Sequence, residues 1–335
     1  MRPKPRAVLA ALGLALALTL ALADQAAAGN GGFAPVEPES PNAQSISDAY
    51  WVIAAFTGAV FVLVEGALIV FIVRFRSRGR GRNVEGPQIR GNTNLEIAWT
   101  VVPVVILALI AAFVFYELPS IKNTPSARAG GSLEVTVVAH QFYWEFQYSD
   151  GQISIDDLVV PVQRVVTLTV VSKDVAHSWW IPALGGKIDA LPGRTNHTWF
   201  KTKRIGVYEG QCAELCGIQH AFMLAQVSVV TPAAFRTFLS KHAPSSLTVG
   251  REQWTGVCAK CHGLAGQGDI GPPIAGNPTL TDPTALATLV REGLPPSKTT
   301  TGMPAVGAGW TDAQVDALVR YVKSKPILRG AQGGG

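Results

Sequence analysis

Apolar positions divide the chain into distinct regimes. Residues 50–73 form a run broken only by Glu65 and a few small residues, and residues 97–117 form a second run that contains Pro103. Each is about the 20 residues a helix needs to cross a bilayer, and membrane helices tolerate proline better than soluble ones do. Arg74, Arg76, Arg78, Arg80 and Arg82 follow the first run directly. Such a block beside a span marks the cytoplasmic side, so the two spans predict a hairpin whose outer ends lie outside the cytoplasm. A charged Glu65 would be costly against lipid; it is expected to face a partner helix or to stay protonated.

From 129 to 231 the apolar period shortens. Residues 133–140, 142–148, 165–171, 198–202 and 225–230 alternate or are β-branched, with Gly, Pro and Asp between them. Short strands at this spacing predict a β-sandwich or small barrel. Residues 232–248 hold a short amphipathic stretch and then Ala243-Pro244-Ser245-Ser246, read as a linker. Beyond it the period becomes helical: residues 251–260 read as helix, and residues 312–323 place Val315, Leu318, Val319 and Val322 at helical spacing with Tyr321 beside them. This predicts an all-α domain over 249–328 and a Gly-rich, disordered tail over 329–335.

The N-terminus has its own pattern. Arg2, Lys4 and Arg6 precede an apolar stretch over residues 7–23 and then small residues. Residues 1–28 therefore read as a secretory signal, cleaved after Ala23 or Ala28, with a retained anchor as the alternative. Residues 29–47 are polar and Pro-rich and are expected to be loose. Residues 29–128 thus comprise an N-terminal segment and the hairpin.

Composition sharpens this picture. The chain is 48% apolar and only 15% charged, which fits a multidomain membrane protein. Its net charge of +5 is concentrated in the arginine block, so it is a topology signal and no nucleic-acid partner is expected. All four cysteines fall in two metal-type motifs, and besides Met1 the methionines are Met223 and Met303.

The first motif is Gly210–Met223, GQCAELCGIQHAFM. Cys212, Cys216, His220 and Met223 offer two thiolates, an imidazole and a thioether. Soft sulfur with imidazole favours copper; zinc, which has little use for a thioether, and a disulfide are the alternatives. The second motif is Cys258-Ala259-Lys260-Cys261-His262, the C-x-x-C-H attachment signature of c-type haem. Zinc or a redox dithiol could use the same residues. Gly271-Pro272-Pro273 and Gly302-Met303-Pro304 follow, and Met303 offers an axial sulfur opposite His262. A His/Met haem carries electrons and leaves no position for dioxygen.

The metal loop, together with His177-Ser178-Trp179, Pro182, Gly185, Lys187, Asp189 and Pro192-Gly193-Arg194, resembles subunit II of cytochrome c oxidase, which carries the dinuclear copper centre CuA. The C-terminal part resembles class I cytochromes c. The resemblance implies a two-helix transmembrane hairpin, a cupredoxin-like Greek-key β-barrel and a fused cytochrome c domain. It implies that Cys212 and Cys216 bridge two copper ions, that His177, His220 and Met223 are terminal ligands, and that Glu214 gives its backbone carbonyl. Cys258 and Cys261 would bind haem covalently, with His262 and Met303 axial.

The resemblance further implies that the Glu214 side chain reaches a magnesium or manganese ion at the boundary with subunit I. Lys187 and Asp189 either join that polar interface or pair on the surface. Residues 94–103, which open the second span, are also similar to the family's, and Glu96 would sit at the cytoplasmic mouth of a proton pathway; a solvated helix-capping carboxylate is the alternative. In the aromatic run 140–148, Phe142 stands where the family has a tryptophan that receives electrons from soluble cytochrome c, with Trp144 in the same region. A tethered donor has a high effective concentration, which could relax the need for that tryptophan. His140, His197 and His242 read as structural histidines.

The implied function is the electron-input subunit of a proton-pumping haem–copper terminal oxidase. Its partners would be subunit I, where dioxygen is reduced, together with subunit III, membrane lipid and a reduced donor such as cytochrome c. No catalytic residue is expected in this chain. The location would be the inner membrane of a bacterial cell, with copper and haem domains on the periplasmic side. The alternatives are a membrane-anchored electron relay and the input subunit of a CuA-type nitric oxide reductase.

Overall fold

The computed structural model describes residues 35–76, 88, 90–125, 131–297 and 302–330. The expected signal over 1–28, Arg78, Arg80, Arg82 and the tail beyond 330 lie outside the described residues. The chain divides into two units, residues 44–123 and the remainder.

The smaller unit contains nearly all of helix α1 (Pro41–Phe75) and the whole of helix α2 (Thr93–Lys122). Both are long and apolar enough to cross a membrane. At 1.5 Å per residue, the 30 residues of α2 extend about 45 Å. That exceeds a bilayer's hydrocarbon core of about 30 Å. Asn92 caps α2 by accepting the Leu95 N–H at 3.2 Å. Ser45 and Ser120 share a hydrogen bond of 2.8 Å between the two helices.

Among the described residues of the larger unit, ten strands form two five-stranded sheets. The first has the order β3 (Ile153–Ile155), β2 (Tyr143–Tyr148), β1 (Leu133–His140), β5 (Val165–Ser172), β8 (Asn196–Lys201). The second runs β4 (Asp157–Pro161), β10 (Leu224–Val230), β9 (Gly206–Cys212), β6 (His177–Trp180), β7 (Ile188–Ala190). The β1/β5 and β10/β4 pairs are parallel and the other pairs antiparallel. Val137, Trp144, Phe146, Leu158, Leu168 and Val227 fill the space between the sheets. The five strands expected from alternation are present. β3, β4, β6, β7 and β9 were not legible, because they are short or interleave Gly, Glu and Gln with few apolar residues.

The polar stretch before the first span is not loose along its described length. The Glu39 N–H donates to Ala183 O at 2.8 Å, the Lys203 N–H to Glu39 O at 3.0 Å, and Asn42 Nδ2 to Trp199 O at 2.6 Å. Arg204 pairs with the buried Glu39 carboxylate. Backbone pairing with the barrel's edge, which a single-sequence pattern does not encode, orders the segment.

The expected linker is also largely helical. Thr231 caps α3 (Pro232–Lys241), whose Phe235 and Phe238 pack on Tyr148 with ring centroids 6.2 and 5.5 Å away. The helical domain follows: α4 (Ser246–Gln253), a π-turn over Trp254–Cys258, α5 (Ala259–His262), α6 (Pro283–Glu292) and α7 (Asp312–Ser324). α7 begins with a capping box between Thr311 and Gln314. It buries Val315, Leu318, Val319 and Val322, as their spacing predicts. Trp254, Val257, Leu286 and Val290 complete this second core, and one residue of the barrel, Tyr143, belongs to it.

Candidate metal and haem sites

The barrel assembles its metal-type donors from two separate places. β6 begins with His177, which is fully buried. Cys212 ends β9, and the loop onward to β10 carries Glu214, Cys216, His220 and Met223. Trp179 pairs with Cys212 across the β6/β9 ladder, so sheet register brings the histidine to the loop. Cys212 Sγ lies 3.8 Å from His177 Nδ1, 3.2 Å from Glu214 O and 4.0 Å from Cys216 Sγ. Cys216 Sγ lies 3.5 Å from His220 Nδ1 and 3.7 Å from Met223 Sδ. All six expected donors therefore converge. At 4.0 Å the sulfurs are about twice a disulfide bond apart, and all four cysteines are free.

Electrostatics prepare these donors for a cation. Burial acts to raise Asp174, but hydrogen bonds from His177 and from the Gln141 and Val175 N–H groups outweigh it and hold its carboxyl below the ordinary range. Asp174 Oδ1 lies 2.8 Å from His177 Nε2. This contact turns Nδ1 toward the sulfurs, as a carboxylate behind a ligating histidine does. Burial also opposes ionisation of Cys212, yet His177 and the Glu214 and Ser178 backbone bring that thiol down to about 7. Burial and the neighbouring Cys212 push Cys216 up to about 12. The thiol pair thus gives up one proton readily, and a bound cation supplies the charge that removes the second. Two buried thiols, the buried His177, the half-buried His220 and a thioether, with Met223 at 0% exposure, fit copper.

The aromatic run sits beneath this loop. Trp144 is fully buried, with its ring edge-on to His177 at 6.0 Å and to Trp179 at 5.2 Å. Phe142 is 8% exposed; a Cβ added at Gly217 would lie 3.0 Å from its ring. Gln141 Nε2 donates to Cys216 O at 2.5 Å. His140 is buried and stacks on Tyr143 at 4.7 Å, with its Nδ1 lacking a partner among the described residues. It is therefore less completely satisfied than a structural histidine is expected to be. Glu214 is exposed, and the Lys187 ammonium lies over the Trp180 ring at 5.0 Å. Glu96, in the first turn of α2, accepts the Asn92 N–H at 3.3 Å.

In the helical domain Cys258 ends the π-turn, and Cys261 and His262 lie on α5. His262 Nδ1 donates to Pro272 O at 2.7 Å, which leaves Nε2 as the free acceptor for an iron. The close approach requires glycine at 271, where a Cβ would sit 2.8 Å from the imidazole. Met303 is half-buried and tied by a two-way backbone bridge to Leu294, at 2.8 and 2.9 Å. These residues fit a haem c: two partly buried thiols on one helical turn, and a histidine whose tautomer is fixed.

A membrane-anchored two-domain electron carrier is the class these features define. Three family models match: Cytochrome C oxidase subunit II, transmembrane domain, over residues 33–116; Cytochrome C oxidase subunit II, periplasmic domain, over 151–230; and Cytochrome C oxidase, cbb3-type, subunit III, over 245–322. Among curated proteins, cytochrome c oxidase subunit 2 of Alkalihalophilus pseudofirmus is 31% identical over 255 residues, covering 71% of this chain and 72% of that protein. The probable cytochrome c oxidase subunit 2 of Rickettsia bellii is 31% identical, covering 70% of this chain and 91% of that protein. Among solved structures, the periplasmic domain of subunit II of cytochrome oxidase of Bradyrhizobium japonicum is 34% identical, with a TM-score of 0.33, covering 36% of this chain and 96% of that one. The chain belongs to the cytochrome c oxidase subunit 2 family. It joins two apolar helices, a cupredoxin-like domain and a C-terminal cytochrome c domain, as an electron-input subunit of a cytochrome c oxidase.

Proposed function

We propose that this chain takes electrons from a cytochrome c donor into its own haem c, and passes them through a CuA copper pair to the haem of subunit I, where dioxygen is reduced to water and protons are pumped. When bound, the haem and the copper pair supply one-electron carriers, and the protein supplies everything that keeps them in place. The observation that carries the reading is the convergence of six soft or carbonyl donors at one end of the barrel, in the same compact unit as a complete C-x-x-C-H motif.

Each residue then has a task. Cys212, Cys216, His177, His220, Met223 and the Glu214 carbonyl would hold the copper pair. Asp174 holds the His177 ring, so the donor set changes little as an electron arrives. Cys258 and Cys261 would attach haem, and His262 and Met303 would hold its iron. The exposed Glu214 carboxylate is assigned to a magnesium or manganese ion shared with subunit I, and Glu96 to the mouth of a proton pathway. Subunit III and lipid complete the surroundings, in the inner membrane of a bacterial cell with both carrier domains on its periplasmic side.

Purification of the full chain with its partners from membranes tests this. A copper pair and one covalent haem per chain, with dioxygen uptake driven by reduced cytochrome c, is the expected result. Haem with no copper, and no co-purifying dioxygen-reducing subunit, would overturn the reading.

A further inference from the structure

Among the described residues, Tyr143 is the fully buried barrel residue in the core of the helical domain, and Ile155 of the barrel packs against that core. Tyr143 is 1% exposed. Its hydroxyl donates to Val306 O at 2.8 Å and accepts from Trp310 Nε1 at 2.9 Å. Two neighbours extend the contact. Gly256, in the π-turn before Cys258, approaches β3 so closely that a Cβ there would lie 2.7 Å from Ile155. Asp156 is bound to the barrel three times: its N–H donates to Trp144 O, its carbonyl accepts from Gln226, and its Oδ1 accepts from Trp144 N, each at 2.9 Å. Its remaining oxygen pairs with Lys260, a residue inside the haem motif itself.

These contacts have a consequence at the metal loop. Gln219, between Cys216 and His220, places its Nε2 3.9 Å from Cys261 Sγ. A haem-attachment atom thus touches the loop that carries the copper donors. On the same side, Phe142 and Tyr143 are both buried, so neither offers a surface to a freely diffusing protein.

We propose that Tyr143, Ile155 and Asp156 form a built docking surface for the chain's own haem-attachment helix, and that this docking holds Cys261 against Gln219 and bars a separate soluble donor from delivering electrons to the barrel directly. Donor selection then belongs to the helical domain alone. The electron-transfer meaning rests on the function proposed above; the docking itself does not.

The test uses the full chain and the variants Tyr143→Phe and Gly256→Val. Copper and haem content are measured first, then amide hydrogen exchange over 254–261 and 304–310. The last measurement is the order in which haem and copper absorption change after mixing with a reduced soluble cytochrome c. Removing the hydroxyl leaves Val306 O and Trp310 Nε1 without their partner, so Tyr143→Phe is expected to speed exchange over 304–310 about 10-fold, the equivalent of one buried hydrogen bond. In the unaltered chain the haem responds before copper. In Gly256→Val a direct copper phase appears, with both cofactors retained. Exchange and reduction order unchanged in both variants would overturn the proposal. If Gly256→Val does not fold, Tyr143→Phe decides. If the chain lacks copper or haem, the function reading fails, while the exchange result still decides the docking.

Discussion

The barrel's metal loop and the helical domain's haem motif solve the same problem in opposite ways. The haem motif is contiguous: Cys258, Cys261 and His262 share one helical stretch, and the fold adds the Pro272 carbonyl that sets the imidazole tautomer. The metal centre is assembled: His177 opens β6, the other donors flank β9, and sheet register joins them. A contiguous motif depends on local helix geometry. An assembled one depends on the whole sheet, and on groups behind the ligands that aim them.

The largest effect expected from breaking this comparison is at Cys212 and Cys216. Cys212→Ser or Cys216→Ser should abolish copper binding while covalent haem stays at its original stoichiometry, measured by metal analysis and by haem staining of the denatured chain. Parallel loss of haem would mean that the two sites are not independent.

Asp174→Asn probes the aiming group. It should lower copper affinity by about 10- to 100-fold, the usual cost of losing a partner behind a metal-bound histidine, and leave haem attachment unchanged. Competition titration with a copper chelator measures it. An affinity equal to that of the unaltered chain would show that the barrel alone orients His177.

pH sharpens the comparison, because the barrel buries a titratable group beside the helical domain. Burial pushes His140 from 6.5 down to about 4. The folded-state value lies below the unfolded one, so the unfolded chain takes up the proton first as pH falls. Stability is therefore unaffected above pH 6.5 and is lost as pH drops from 6.5 toward 4, by at most about 3 kcal/mol. Denaturant midpoints across that window measure the loss, and His140→Gln should flatten the curve. An unchanged slope in the variant would assign the acid sensitivity to other groups.

The smallest effect is local. Thr311→Ala removes the capping box that starts α7 and should destabilise the helical domain by about 1 kcal/mol. The copper content of the barrel should not change. Thermal unfolding followed at the haem and at the copper absorption separates the two domains.

Much of the molecule was legible because it is periodic or contiguous. The two apolar runs correspond to α1 and α2, and the alternating strands and the α7 spacing appear as read. The donor residues of both motifs could be named because their chemistry is unusual: soft sulfur and imidazole at short spacing. Other features near the site were not legible. β9 has no apolar period, so the strand that presents Cys212 was invisible. Asp174 gives no sequence signal, since an acidic residue three before a histidine is commonplace. Tyr143 looked like one aromatic among many; that its hydroxyl meets Trp310 depends on how two domains pack.

The sequence by itself determined the periodic elements and the chemistry, because hydrophobic period and ligand type are written locally. Only the tertiary structure decided which distant groups meet: His177 with Cys212, Asp174 behind His177, Asp156 with Lys260, and Gln219 with Cys261. Those contacts join residues far apart in the chain. They arise from sheet register and domain packing, where the free energy lies in burying complementary surfaces that no local pattern specifies.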